Sequence, residues 1–311
     1  MASAYHRVLP GRVTPIREAG GGDQAEWIRR PQLPGSAQAY NQCAPTKRVR
    51  FPCQPVAPGA EGNNVRDPYR ELAPLYDLMA ADPGIQAFYA EFRASIHEAI
   101  SAHHVRPRVV VDLACGTGNT TVPWVAGSGR TVIGVDQSEA MLRVARRKSA
   151  RVCWVRQDLE RLRIDVQADI VTCHFDALNH VLEADLLQRV FVSVARILRP
   201  GGLFQFDLNT RFMLQWLSTS VKLFRAGPHS FTAYNAFDPT SGIATFHQLW
   251  FVKRGRCYRK VLVSVRERSY QDAELRRMLR AAGLSLERIT VQRRLKGRPI
   301  RKVYLAMKPA S

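Results

Sequence analysis

Apolar residues recur along this chain in two rhythms. In the first they form short, almost unbroken runs at residues 109–113 (Val-Val-Val-Asp-Leu), 131–136, 152–155, 169–174 and 203–208. Such runs, rich in β-branched residues and without polar alternation, predict strands covered on both faces, as in a parallel sheet. In the second rhythm they return every third or fourth position. Ile85, Phe88, Phe92, Ile96 and Ile100 predict a helix to about Ala102, begun by Asp82 as N-cap and Pro83 at the first helical position. Ser138 caps a further helix to about Lys148, residues 184–198 form another, and residues 272–283 a fourth with a glycine stop. Strands and helices thus alternate from 83 to 208, the arrangement of an α/β fold.

The pattern changes after residue 210. Residues 230–237, 243–252 and 258–268 read as three antiparallel strands joined by short turns, and residues 284–293 and 299–307 as a closing hairpin. Arg199-Pro-Gly-Gly202 reads as a break before the fifth strand. Residues 1–64 have no sustained apolar period and are rich in Pro, Gly and Arg, so disorder is expected there. Two other readings of that segment remain: a targeting peptide, against which Glu18, Asp23 and Glu26 weigh, or a stretch upstream of a true start near Val65.

The chemistry concentrates at Val109-Val-Val-Asp-Leu-Ala-Cys-Gly-Thr-Gly-Asn-Thr-Thr121. A strand ends in a turn with two glycines and then a short helical run, residues 122–126. Glycine lets a ligand lie against bare backbone, and the unpaired N–H groups of the helix start favour an anionic group. The dinucleotide fingerprint wants a third small residue where Thr121 stands, and Asp112 before the turn suits a ligand with an ammonium group better than a pyrophosphate. Asp136 closes the second strand about 20 residues on, the spacing at which a carboxylate meets ribose hydroxyls.

The string Asp112-Leu-Ala-Cys-Gly116-Thr-Gly118 resembles the first motif of the class I S-adenosylmethionine-dependent methyltransferases (small-molecule type, methyltransferase domain 25-like). The resemblance extends from Asp67 to Lys308 and is strongest from Val109 to Leu208. It implies a Rossmann-like, doubly wound, seven-stranded sheet, with residues 65–311 as the domain and 211–269 as a β-rich lid carrying Tyr234, His247 and Trp250. It implies S-adenosyl-L-methionine as cofactor, held by Tyr76, Asp112, Ala114, Gly116, Gly118, Asp136, Gln137, Met141, Asp158, Leu159 and Phe175. Asp158 would accept from the adenine amine. For Tyr76 a role in anchoring a helix, and for Asp158 a turn that satisfies its own backbone, are the competing readings.

Residues just past the fourth and fifth strands line the crevice of such sheets, which makes His174, His180 and Asp207 the candidate catalytic groups, with Asp176, Asn179 and Asn209 close by. No Asn/Asp-Pro-Pro-Tyr/Phe motif or Pro-Cys pair occurs there, so the family's base-methylating types are not matched. A small-molecule acceptor is expected. The net charge of +20 keeps a second reading open, an RNA-directed methyltransferase, since residues 251–311 hold 18 Lys/Arg against 4 acids. Those basic residues lack the interleaved aromatics of nucleic-acid platforms. A cofactor-binding scaffold without activity is the third reading. No apolar run approaches a membrane span, and the six cysteines show no Cys-x-x-Cys spacing, so neither a membrane, a metal nor a redox pair is indicated and the cytoplasm is expected.

Overall fold

The computed structural model describes residues 67, 69–126, 129–219 and 221–310. The expectation for residues 1–64 lies outside them. Strands β1 (Val109–Leu113), β2 (Thr131–Asp136), β3 (Val152–Arg156), β4 (Ala168–Cys173) and β5 (Leu198–Asn209) pair in parallel. The hairpin of β10 (Ser285–Leu295) and β11 (Arg298–Met307) adds antiparallel to β5, giving the order β10-β11-β5-β4-β1-β2-β3. The chain moves outward from β1 to one side through β2 and β3, then returns to the other through β4 and β5. That reversal opens a crevice at the carboxyl ends of β1 and β4.

The unbroken apolar runs explain the two-sided burial. Val111, Leu113, Ile133 and Val135 face α4 (Ala184–Ile197) and α6 (Asp272–Ala281), whose Leu187, Val190, Phe191, Leu275 and Leu279 complete one core. Val110, Val132, Ile170 and Leu203 point the other way, onto Ile96 and Ala99 of α2 (Pro83–Ala102) and onto Trp124. Asp82 caps α2 as expected, accepting from the N–H groups of Gly84 (2.8 Å) and Ile85 (3.2 Å). The buried stripe runs through Phe88, Tyr89, Phe92, Ile96 and Ala99, with the expected Ile85 and Ile100 half-buried at its ends. Ser138 caps α3 (Glu139–Lys148) by accepting from Met141 N–H (3.2 Å).

Two expectations are revised. Arg199-Pro-Gly-Gly202 is part of β5, not a break before it: Leu198 already pairs with Ala168, and Gly201 takes φ +74° where the register shifts. The insertion has four strands instead of three, β6 (Lys222–Ala226), β7 (His229–Asp238), β8 (Ile243–Arg254) and β9 (Cys257–Arg268), in that order as a separate antiparallel sheet. Before it comes a short helix, α5 (Arg211–Leu217), capped by Thr210. The inner face of this sheet buries Phe231, Trp250, Val252, Val261 and Val263 against Leu72 and Leu75, at the start of α1 (Ala73–Ala80). Strand β9 pairs with β8 on one side, and its other edge joins no strand among the described residues. Its Arg266 and Arg268 carbonyls accept from His180 Nδ1 (3.0 Å) and Asn179 Nδ2 (2.8 Å), which fasten it beside the crevice.

Candidate functional site

A cavity of about 420 Å³ occupies the crevice. Nine of the eleven residues expected to hold the cofactor line it: Tyr76, Ala114, Gly116, Asp136, Gln137, Met141, Asp158, Leu159 and Phe175. His174 and His180 line it as well, and Ser264, Val265 and Arg266 of β9 form its outer wall. Asp112, Gly118 and Asp207 do not reach it.

Asp112 serves the glycine loop from behind. It is fully buried and accepts from three hydroxyls, those of Thr120 (2.8 Å), Thr121 (2.5 Å) and Thr172 (2.7 Å). A buried carboxylate with three donors is satisfied within the protein and fixes the helix start to β1 and β4. Gly116 takes φ +54°, and a Cβ there would meet nothing within 4 Å. Its N–H donates to Asp136 Oδ2 (2.8 Å), so the loop presents open backbone to the cavity. Gly118 is small for another reason. With φ +82°, a Cβ would lie 2.6 Å from Trp154 Cη2, and one on Gly134 would lie 2.5 Å from the same indole. Trp154 therefore packs flat beneath the loop, a role that sequence spacing did not reveal.

The loop is also tied from above. Asp77 Oδ1 accepts from Thr117 Oγ1 (2.7 Å), Asn119 Nδ2 (3.2 Å) and Lys148 Nζ (2.8 Å), and these partners hold its carboxyl below the usual range against its partial burial. Asp77 was visible in sequence only as the neighbour of Tyr76. Asp136 accepts from two N–H groups, those of Gly116 and Ser138 (both 2.8 Å), yet burial pushes its carboxyl up to about 6. Asp158 accepts from Glu160 N–H (3.0 Å) and so makes the turn of the competing reading while also lining the cavity.

The opposite end is built differently. Phe175 and Asp176 follow β4 with φ of +60° and +52°. Consecutive left-handed residues with side chains cost on the order of 1–3 kcal/mol each and are held only where the surroundings over-determine them. Here Phe175 lies among Tyr89, Phe92 and Phe88 (ring centroids 4.5, 5.5 and 6.4 Å), and Asp176 meets Arg301 (2.6 Å). His174 stacks on Phe92 (4.5 Å, 7° between planes). The Gln205 amide satisfies its surroundings with its nitrogen toward His174 Nε2 (2.9 Å) and Phe92 O and its oxygen toward Ser95 Oγ and Ile96 N–H. Nε2 is then the acceptor and Nδ1, buried without a partner among the described residues, carries the ring proton. His180 has the same tautomer: Nδ1 donates to Arg266 O, leaving Nε2 to face the Tyr69 hydroxyl (3.3 Å).

Asp207, expected as a candidate base, is buried below the cavity, where Oδ2 accepts from Arg301 (2.7 Å) and from Asp176 N–H (3.1 Å). Burial raises its carboxyl, and Arg301 opposes that rise. The residues expected to carry the lid also fall elsewhere. Trp250 is buried in the inner face, while Tyr234 and His247 stack on one another on the outer face (4.7 Å). Arg301 and Glu267, which complete the charged floor, were not singled out. A lone arginine and a lone glutamate inside strand patterns carry no local signal.

A family described as a methyltransferase domain matches residues 110–202, the stretch that contains the glycine loop and Asp136. The chain is 28% identical over 227 residues to the Bacillus subtilis protein YqeM, itself named as a methyltransferase, covering 71% of this chain and 88% of that one. It is 30% identical over 169 residues to the ubiquinone/menaquinone biosynthesis C-methyltransferase UbiE of Acidiphilium cryptum, covering 51% and 64%. Among solved structures, an S-adenosylmethionine-dependent methyltransferase from Clostridium acetobutylicum superimposes with a TM-score of 0.67 at 25% identity, covering 78% of this chain and 99% of that one. The chain's sheet order, its glycine loop and these likenesses agree in supporting a class I S-adenosylmethionine-dependent methyltransferase.

Proposed function

We propose that the cavity holds S-adenosyl-L-methionine along its Gly116–Leu159 side and a small-molecule acceptor along its Phe175–Arg266 side. The observation that carries this reading is the convergence on one cavity of eight residues from four separate strand ends and of Tyr76 from α1. Their chemistry fits the cofactor. Gly116 offers unobstructed backbone for the amino-acid part, Asp136 offers acceptor lone pairs for a vicinal diol, and Met141 and Leu159 are the apolar flanks an adenine ring requires.

 Asp158, two residues past the end of β3 and directly before Leu159, would meet the ring's amine edge. The cofactor supplies a methyl group already activated by a positive sulfur. The protein's share is therefore chiefly alignment, which can be worth about 7–11 kcal/mol, and removal of a proton, worth about 10²–10⁴-fold in rate. His180 is the better placed of the two histidines for the proton, because its Nε2 is an acceptor on the cavity wall. His174 is a positioning group by comparison, with one ring face stacked on Phe92 and its Nε2 engaged by the Gln205 amide.

The small acceptor is supported by the size of the cavity and by the wall that Ser264, Val265 and Arg266 make, which gives residues 211–269 the part of a lid. The basic C-terminal region supports it too. Arg259, Arg268, Arg288 and Lys302 are each spent on an acid (Glu71, Glu274, Glu98 and Asp272), and Lys308 caps the carbonyls of Ala195 and Leu198. Charges dispersed in this way make a poor track for a phosphate backbone. Among the described residues no helix is long and apolar enough to cross a membrane.

Calorimetry with S-adenosyl-L-methionine tests the first half. Wild type binds, and Gly116→Arg, which fills the open backbone at φ +54°, loses binding by at least about a hundredfold while keeping its circular dichroism spectrum. Incubation with methyl-labelled cofactor and cell extract tests the second half. Label in the small-molecule fraction is expected; label in RNA would overturn the acceptor assignment.

A further inference from the structure

Below the acceptor side of the cavity lies a charged floor that the cofactor reading does not use. One side-chain ligand atom from each of Asp176, His180 and Glu267 lies within 4.8 Å of the others. Asp207 and Arg301 adjoin them, with Arg301 bridging Asp176 (2.6 Å) and Asp207 (2.7 Å). Three carboxyl groups thus share one guanidinium. The floor is short of positive charge, and in the low dielectric of a buried site such a shortfall is costly.

A second observation points the same way. Asn209, only 5% exposed, turns its Nδ2 to Glu267 Oε2 (3.0 Å), and its Oδ1 has no partner among the described residues. The Oδ1 of the fully buried Asp207 has none either. Acceptor oxygens outnumber donors. Burial, with the Asp176 charge beside it, also holds the Glu267 carboxyl well above its usual range, so that it keeps a proton where a cation is missing. Of the floor residues His180 lines the cavity itself, and Phe175 and Arg266, the chain neighbours of Asp176 and Glu267, line it beside them. Arg266 is itself exposed, where water screens its charge.

We propose that the methyl acceptor is an amine, which enters as an ammonium ion and is held by Asp176 and Glu267 beside His180. This rests on the methyltransferase reading above and names the atom that reading leaves open. An anionic acceptor would meet carboxylates at this end, and a neutral carbon or hydroxyl nucleophile would leave the charge shortfall as it is. The ammonium ion supplies the missing cation and gives its N–H groups to the surplus acceptors. It then loses one proton to His180 Nε2. The freed nitrogen lone pair forms the N–C bond, the C–S pair leaves on the sulfur, and the product is the N-methylated ammonium ion, after which His180 releases its proton to water.

Three probes of one shape and different charge test this: benzylammonium, benzyl alcohol and benzoate, titrated by calorimetry into protein saturated with S-adenosylhomocysteine. Benzylammonium should bind about tenfold or more tighter than either other probe, the worth of a hydrogen bond between charged groups. Glu267→Gln should erase that preference and Glu267→Asp should keep it, with cofactor affinity unchanged in both. Equal or tighter binding of the alcohol or benzoate would overturn the proposal, as would displacement of benzylammonium by manganese at micromolar concentration, which would make the floor a metal site. Should Glu267→Gln fail to fold, the ranking of the three probes on wild type decides alone. Absence of cofactor binding in wild type would instead overturn the methyltransferase reading itself.

Discussion

The two ends of the cavity are made by opposite means. At the cofactor end, residues 112–159 bring nearly every contributing group from one continuous stretch, and each acid has its donors: three hydroxyls for Asp112, two N–H groups for Asp136. At the acceptor end, Tyr69, Asp176, His180, Asp207, Glu267 and Arg301 come from positions more than 200 residues apart, and their acids exceed their cations. A closed local unit serves one fixed ligand, while a distributed floor can be altered a residue at a time. The contrast teaches that cofactor recognition and acceptor choice are separable in this chain.

The sharpest way to break the contrast is Arg301→Met. Removing the one guanidinium leaves the buried Asp207 and the half-buried Asp176 without their counter-charge, and the expected loss is about 3–5 kcal/mol in urea denaturation at neutral pH. A loss under about 1 kcal/mol would show that the floor is better solvated than its burial implies. Next comes Gly134→Ala, which pushes a methyl group into Trp154 and should cost about 1–3 kcal/mol by overpacking. In a double-mutant cycle, Trp154→Leu should make that cost smaller, because the two side chains share one space. Additive losses would argue that Trp154 does not support the loop.

The smallest effect is in pH. Burial pushes the Asp136 carboxyl up to about 6, and only its ionised form offers both oxygens as acceptors to a diol. Affinity for the cofactor should be level above that pH and fall below it, by at most about tenfold per unit, when measured by calorimetry from about pH 7.5 to about pH 5. Asp136→Asn should bind more weakly and flatten the profile. A profile unchanged by the substitution would remove Asp136 from the contacts assigned to it.

The same contrast decides what could be read from the sequence. The five parallel strands, the Asp82 and Ser138 caps and the residues around the glycine loop are legible because each depends on neighbours within a few positions. Arg301 and Glu267 gave no signal, since their partners are set by how β11 and β9 lie against the sheet. Trp154 was missed because its reason, two glycines on adjacent segments, exists only across strands. The fourth strand of the insertion, β6, escaped notice because Lys222-Leu-Phe-Arg-Ala226 is short and carries an exposed Leu223. Trp250 was grouped with His247, yet three residues along a strand place two side chains on opposite faces.

The imidazole of His180 is the peg on which the β9 edge hangs, through Nδ1, while its other nitrogen looks toward arriving chemistry. A proton gained or lost on one side of that ring changes the donor strength felt on the other. On the chemistry proposed above, turnover and one of the two side-chain ties of the small sheet would share a single residue, so the enclosure would register the progress of the reaction it encloses.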